Sequence, residues 1–174
     1  RSSKRLIHRP TDSPAHDSTS TQDDPMLQLD DHSPALTLPA LDGGDWTCDA
    51  AAETRPTLLV FFETDCPTCQ LTMPYLNRLA ADLGEAARVV AVSQDSPSAT
   101  RAAVEQFPID FPVVLDVELQ ASKLFDPLAV PTLFLIAAGG TILRTVTGFD
   151  KAGLNDIAAE ICRRAGRQPL LIAE

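Results

Sequence analysis

No run of residues approaches the ~18 consecutive apolar positions that a membrane-spanning helix needs, although 44% of the 174 residues are hydrophobic. The apolar residues are dispersed, as in a soluble globular domain with an appendage. Positive charge is scarce as well. Fourteen Lys and Arg stand against 24 Asp and Glu, a net charge of −10. That balance disfavours nucleic acid and anionic membrane surfaces, and suits neutral or basic protein partners. Zinc ligand sets are missing too. One Cys-x-x-Cys occurs, at Cys66 and Cys69, with no second pair and no His-x-x-x-His. Cys48 and Cys162 stand alone, and His8, His16 and His32 all fall in the N-terminal stretch. A four-ligand metal site is therefore not expected, and no cofactor is implied. There is no internal repeat.

What is present centres on Thr57 to Tyr75. Leu58 to Phe62 has the length and the β-branched and aromatic content of a buried strand. Glu63-Thr64-Asp65 follows, then Cys66-Pro67-Thr68-Cys69. Proline is favoured at the first position of a helix, where its missing N–H is no loss. From there Leu71, Leu76, Leu79, Ala80 and Leu83 recur at helical spacing, so a helix is predicted to about Gly84. Cys66 then sits at the helix N-terminus, where free N–H groups and the positive dipole end favour a thiolate, and Cys69 lies one turn on. Such a pair suits attack on a disulfide. Half of a zinc site and a pair without function are the plainer alternatives.

Read in order, residues 1–32 are rich in Ser, Thr, Asp, Pro and His, and are expected to be a disordered tether. The sequence opens on Arg1 rather than Met, which leaves room for a signal or membrane anchor upstream. The basic start (Arg1, Lys4, Arg5, Arg9) is either the neighbour of such an anchor or a solvated end. A domain is expected over 33–166. It opens with an edge strand at Ala35–Pro39 and a hairpin turn at Asp42-Gly43-Gly44. After the first helix come a strand at Arg88–Ser93, a helix from Ser98 to Phe107, a short strand at Phe111–Asp116 and a helical turn at Leu119–Phe125. Pro131 heads the apolar strand Thr132–Ile136, a placement tolerated at a strand start and more readily as a cis peptide. A turn at Ala138–Thr141 leads into an antiparallel strand, and Asp150 caps a last helix that ends at Gly166. Residues 167–174 are expected to be a flexible tail. The order predicts an α/β fold around a central mixed sheet flanked by helices, with an N-terminal hairpin extension.

Phe61 to Cys69, Met73-Pro74 and Val130-Pro131-Thr132 together resemble the thioredoxin superfamily, within it the TlpA-like (redoxin) thiol–disulfide oxidoreductases. The similarity runs from about Ser33 to Gly166 and includes the Phe111-Pro112-Val113 insert and Gly148-Phe149. It implies a thioredoxin-like fold, with Cys66 as nucleophile and Cys69 as resolving thiol. It also implies a cis Val130-Pro131 peptide beside them that presents backbone to the client chain. Relatives of this kind usually work outside the cytoplasm, in the periplasm or on a tether; a cytoplasmic location is the alternative. Expected partners are disulfide-bearing protein clients and an upstream thiol donor.

Two positions depart from the family pattern. Asp65 stands where Trp is common, and Thr72 where Glu is frequent. Asp65 is either a surface acid without effect or an anion opposing thiolate formation at Cys66, with Glu63 adding to it. The second effect favours a reductant over an oxidant. Thr68, between the cysteines, is expected to tune the potential. Two further functions compete, a non-catalytic adaptor and a peroxidase. The peroxidase pattern Pro-x-x-x-Thr-x-x-Cys fails, because Leu59 and Glu63 occupy its Pro and Thr positions. For Cys48 and Cys162, buried free thiols are the default and a mutual disulfide is the alternative.

Overall fold

The computed structural model describes residues 26–49 and 52–174; the part of the expected tether before Met26 lies outside them. The chain runs β1 (Leu36–Pro39), β2 (Asp45–Cys48), β3 (Thr57–Phe62), α1 (Pro67–Leu83), β4 (Arg88–Ser93), α2 (Pro97–Gln106), β5 (Val113–Leu115), α3 (Gln120–Phe125), β6 (Thr132–Ile136), β7 (Ile142–Thr147) and α4 (Lys151–Arg164). A 3₁₀ turn at Gly84–Ala86 joins α1 to β4. Five strands form one sheet in the order β5-β4-β3-β6-β7. β3, β4 and β5 run parallel, while β6 and β7 are antiparallel to their neighbours.

β3 is the middle strand and is buried along its whole length. Alternation sends its side chains to two cores. Leu58, Val60 and Phe62 pack with Met73, Leu76 and Leu79 of α1 and with Leu154, Ile157 and Ile161 of α4. Leu59 and Phe61 face the other way, onto Leu36 and Leu38 of β1 and Ala121 and Phe125 of α3. On that second face Phe61, Phe125 and Phe134 meet pairwise, with ring centroids 5.1 to 5.7 Å apart. Each buried aromatic of this kind contributes roughly 1.5–3 kcal/mol through lost water contact. A strand packed on both faces is hard to displace, so the chain leaving it at Glu63 starts from a rigid base.

β1 and β2 form the expected hairpin as a separate two-stranded sheet. β1 lies over the second core, and its continuation bridges Ala40 to Val114 on β5.

Both expected ends of the domain need correction. Residues 26–32, assigned to the tether, pack against the domain. Leu27 N–H donates to Phe125 O (3.2 Å), Asp30 N–H to Ile142 O (3.0 Å) and Ile142 N–H to Asp31 O (2.8 Å), while His32 bridges to Thr141. The segment completes hydrogen bonds along β7, which its polar composition does not announce. Residues 167–174, expected as a loose tail, also fold back. Ile172 and Ala173 are buried, and the Asn155 side chain holds both their N–H groups, at 2.8 and 3.0 Å.

Candidate active site

The end of β3 sets the position of the cysteines. Pro67 opens α1 and Cys66 is its N-cap, in extended conformation, so that Cys66 Sγ accepts the Cys69 N–H at 3.2 Å. The cap satisfies one of the free amides that every helix start leaves over. Cys66 is half-buried, Asp65, Pro67 and Thr68 are exposed, and Cys69 is fully buried beneath them. Cys66 and Cys69 are both free thiols here. Burial pushes the Cys69 thiol well above its ordinary range, and its contact with Cys66 acts the same way; the Glu63 N–H opposes them. One thiol can thus meet a partner while the second waits behind it.

The Val130-Pro131 peptide is cis, and the Cys66 thiol points at Val130 O, 3.6 Å away. Thr132, the first residue of β6, steadies this loop: its hydroxyl donates to Ala129 O (2.6 Å) and reaches the Thr147 hydroxyl (3.2 Å). Gly148 N–H donates to Pro131 O at 2.7 Å. The structure therefore brings Cys66, Cys69, Val130 and Pro131 together at one end of the sheet, with Asp65, Pro67 and Thr68 on the rim. Thr72 is buried and donates to Thr68 O (2.7 Å), which ties the helix start to its second turn.

Sequence reasoning missed three supports. Asp95, just past β4, accepts the Thr64 N–H at 2.7 Å, and Gln70 donates to Thr64 O at 3.0 Å. Tyr75 and Phe149 pack ring to ring, with centroids 5.1 Å apart, joining α1 to the loop after β7. Asp95–Thr64 and Tyr75–Phe149 join residues distant in the chain, while Gln70 reaches back only six residues; Asp95 reads in sequence only as part of a turn.

A cavity of about 530 Å³ lined by Trp46, Arg55, Glu85, Arg88, Phe111 and Pro112 lies elsewhere, at the C-terminal end of α1. Seventeen helical residues, about 25 Å, separate that end from Cys66. Among the described residues no cluster of three or more His, Cys, Asp or Glu could hold a metal ion.

The solved structure of a protein from Chlorobium tepidum, described as a thiol:disulfide interchange protein DsbE, superposes with a TM-score of 0.71. It is 26% identical, and the match covers 79% of this chain and 97% of that one. Among curated proteins, thiol-disulfide oxidoreductase ResA of Bacillus subtilis is 33% identical over 96 residues, 54% of each chain. ResA of Halalkalibacterium halodurans is 30% identical over 98 residues, 55% of this chain and 56% of the relative. The chain thus spans little more than half the length of the curated relatives it matches. The profile of the AhpC/TSA family matches residues 29–145, a span that takes in most of the segment before β1, the cysteine pair and the cis-proline loop. On that match, over a thioredoxin-like sheet, the chain belongs to the AhpC/TSA family.

Proposed function

We propose that this protein is a thiol–disulfide oxidoreductase that reduces disulfides in protein clients, with Cys66 as nucleophile and Cys69 as resolving thiol. One observation carries the reading: a half-exposed thiol at a helix N-terminus has a buried thiol one turn behind it and a backbone carbonyl, Val130 O, at 3.6 Å. Ionised Cys66 attacks one client sulfur, forming a mixed disulfide and releasing the other client sulfur as a thiol. Cys69 then gives up its proton and attacks Cys66 Sγ, which releases the second client thiol and leaves a Cys66–Cys69 disulfide. Two electrons and two protons have passed to the client. An upstream dithiol donor restores the pair.

The rim carries carboxylates. Asp65 is an exposed acid next to Cys66 in the chain. Glu63 precedes Cys66 in the same loop, and Asp95 brings a carboxylate to that loop from the end of β4. The names of the relatives support thiol–disulfide chemistry, and that chemistry suits a compartment outside the cytoplasm, with a tether upstream of residue 1 as the route to the membrane. No helix among the described residues is itself long and apolar enough to cross one.

The test is reduction of insulin with a dithiol donor, run beside a trapping experiment. The wild type should accelerate precipitation of the insulin B chain. Cys69→Ser should accumulate clients as mixed disulfides, and Cys66→Ser should capture none. An adaptor without catalysis gives no turnover and no trapped client, and either result overturns the proposal.

A further inference from the structure

The loop that delivers Cys66 is held from outside its own hairpin of structure. Between Phe62 and Pro67 the backbone has left the sheet and has not yet entered α1. Its Thr64 N–H finds neither strand nor helix partner, and takes the Asp95 carboxylate at 2.7 Å instead. Thr64 O takes the Gln70 side-chain amide at 3.0 Å. Both backbone polar groups of Thr64 are therefore satisfied by side chains. Asp95 in turn is anchored to the core. Its own N–H donates to Ser93 Oγ (3.3 Å), Ser93 Oγ pairs with Thr100 Oγ1 (2.7 Å), and Thr100 Oγ1 donates to Ser96 O (3.0 Å). Since the Thr100 proton goes to Ser96 O, the Ser93 proton must go to Thr100, and Ser93 accepts from Asp95 with nothing left unpaired. Ser93 and Thr100 are both fully buried, where such a relay is rigid.

We infer that Asp95 is a positioning residue for the Cys66 thiol, holding the Thr64–Cys66 loop to the end of β4 through its hydrogen bond to Thr64 N–H. Asp95 touches neither sulfur; it acts by fixing the backbone two residues before Cys66. Charge-assisted bonds to a backbone N–H are among the stronger ones available. Removing the acceptor leaves a part-buried amide unpaired and lets the loop leave its place over the helix start. The carboxylate also carries a negative charge, separate from its role as a hydrogen-bond acceptor. Positioning and charge can be separated, because asparagine keeps the oxygen acceptor and loses the charge. The inference deepens the oxidoreductase reading, but its physical content does not depend on a client.

The experiment therefore reads Cys66 directly. Cys66 is half-buried while Cys48, Cys69 and Cys162 are buried, so alkylation by iodoacetamide reports on Cys66 first. Site-resolved alkylation rates against pH are measured for the wild type, Asp95→Ala and Asp95→Asn, together with hydrogen exchange at the Thr64 amide. Asp95→Ala should speed Thr64 exchange at least tenfold and change the Cys66 alkylation rate at neutral pH by about fivefold or more. Asp95→Asn should bring both back to within about threefold of the wild type. If Thr64 exchange and alkylation are unmoved in Asp95→Ala, Asp95 positions nothing and the inference falls. If Asp95→Asn departs from the wild type as far as Asp95→Ala does, charge rather than the hydrogen bond is responsible, and the inference falls again. Insulin reduction is measured in parallel: a wild type inert towards insulin overturns the oxidoreductase reading and leaves the alkylation and exchange results to decide the role of Asp95.

Discussion

Cys48 shows what a buried thiol outside the site does to the protein. It ends β2 in the second core, 1% exposed, while Cys162 of α4 belongs to the first core. The sheet stands between the two cores, so the expected default of free thiols fits the layout better than a mutual bridge, whose Cα atoms would have to lie within about 7 Å. Burial, and secondarily the charge of Glu53, pushes the Cys48 thiol up to about 11 from 9.0. Its folded value is therefore raised. Below pH 9 both states keep the proton and the contribution to stability is fully present. Between pH 9 and 11 the unfolded thiol ionises first and the contribution is lost. Urea denaturation should show wild-type stability falling across that window by on the order of 2 kcal/mol more than that of Cys48→Ala. Parallel pH profiles for the two proteins would show that Cys48 does not titrate this way. At this scale the sequence was readable where chemistry is local. Cys66 at a helix cap, one turn before Cys69, follows from Pro67 and the leucine spacing alone. Asp95 was not readable, because its partner Thr64 lies 31 residues away and only the fold brings them together.

Among the elements, α4 comes close against β7 at one residue, Gly153. Asp150 caps it, as its sequence suggests, by accepting the Ala152 N–H at 3.0 Å. One turn in, Gly153 has no side chain, and a Cβ there would meet Val146 Cγ2 at 2.8 Å and Asp150 Oδ2 at 2.9 Å. On an exposed helix, alanine for glycine adds about 1 kcal/mol of stability. Here the clash is with β7 itself, through a branched valine with little rotamer freedom. Gly153→Ala should therefore lower stability by about 1–2 kcal/mol, seen as an earlier urea midpoint with an unchanged slope. A later midpoint would mean that Val146 gives way freely. Element types and order were legible because apolar periodicity switches between two and 3.6 along the chain, and β4 lies at Arg88–Ser93 as its apolar run suggests. The strand order was not, since nothing local tells β3 to pair with β6 across seventy residues.

For the whole molecule, the two chain segments that look loose are part of the packing. Leu170 to Ala173 carries no helical or strand period, and so resembles a tail; yet Ile172 is 1% exposed and Arg78 donates to its carbonyl at 3.3 Å. Deleting residues 168–174 removes that burial and strips Asn155 of its partners. The loss should be about 3 kcal/mol, a fall in Tm of roughly 6–12 °C for a chain of this size. An unchanged melting curve would show that the segment only lies on the surface. At the other end, the residues before β1 run along β7, and those after it reach β5, so one segment borders both outer strands of the sheet. That arrangement has a consequence in time. A chain synthesised from its N-terminus releases Leu27 to Leu41 early, but the partners of this segment, at Val113, Phe125 and Ile142, emerge some seventy to over a hundred residues later. Such long-range closures are the slow ones. The segment is made well before its partners and docks only once they exist, and until it does the newborn sheet keeps both flanks open to any other strand it meets.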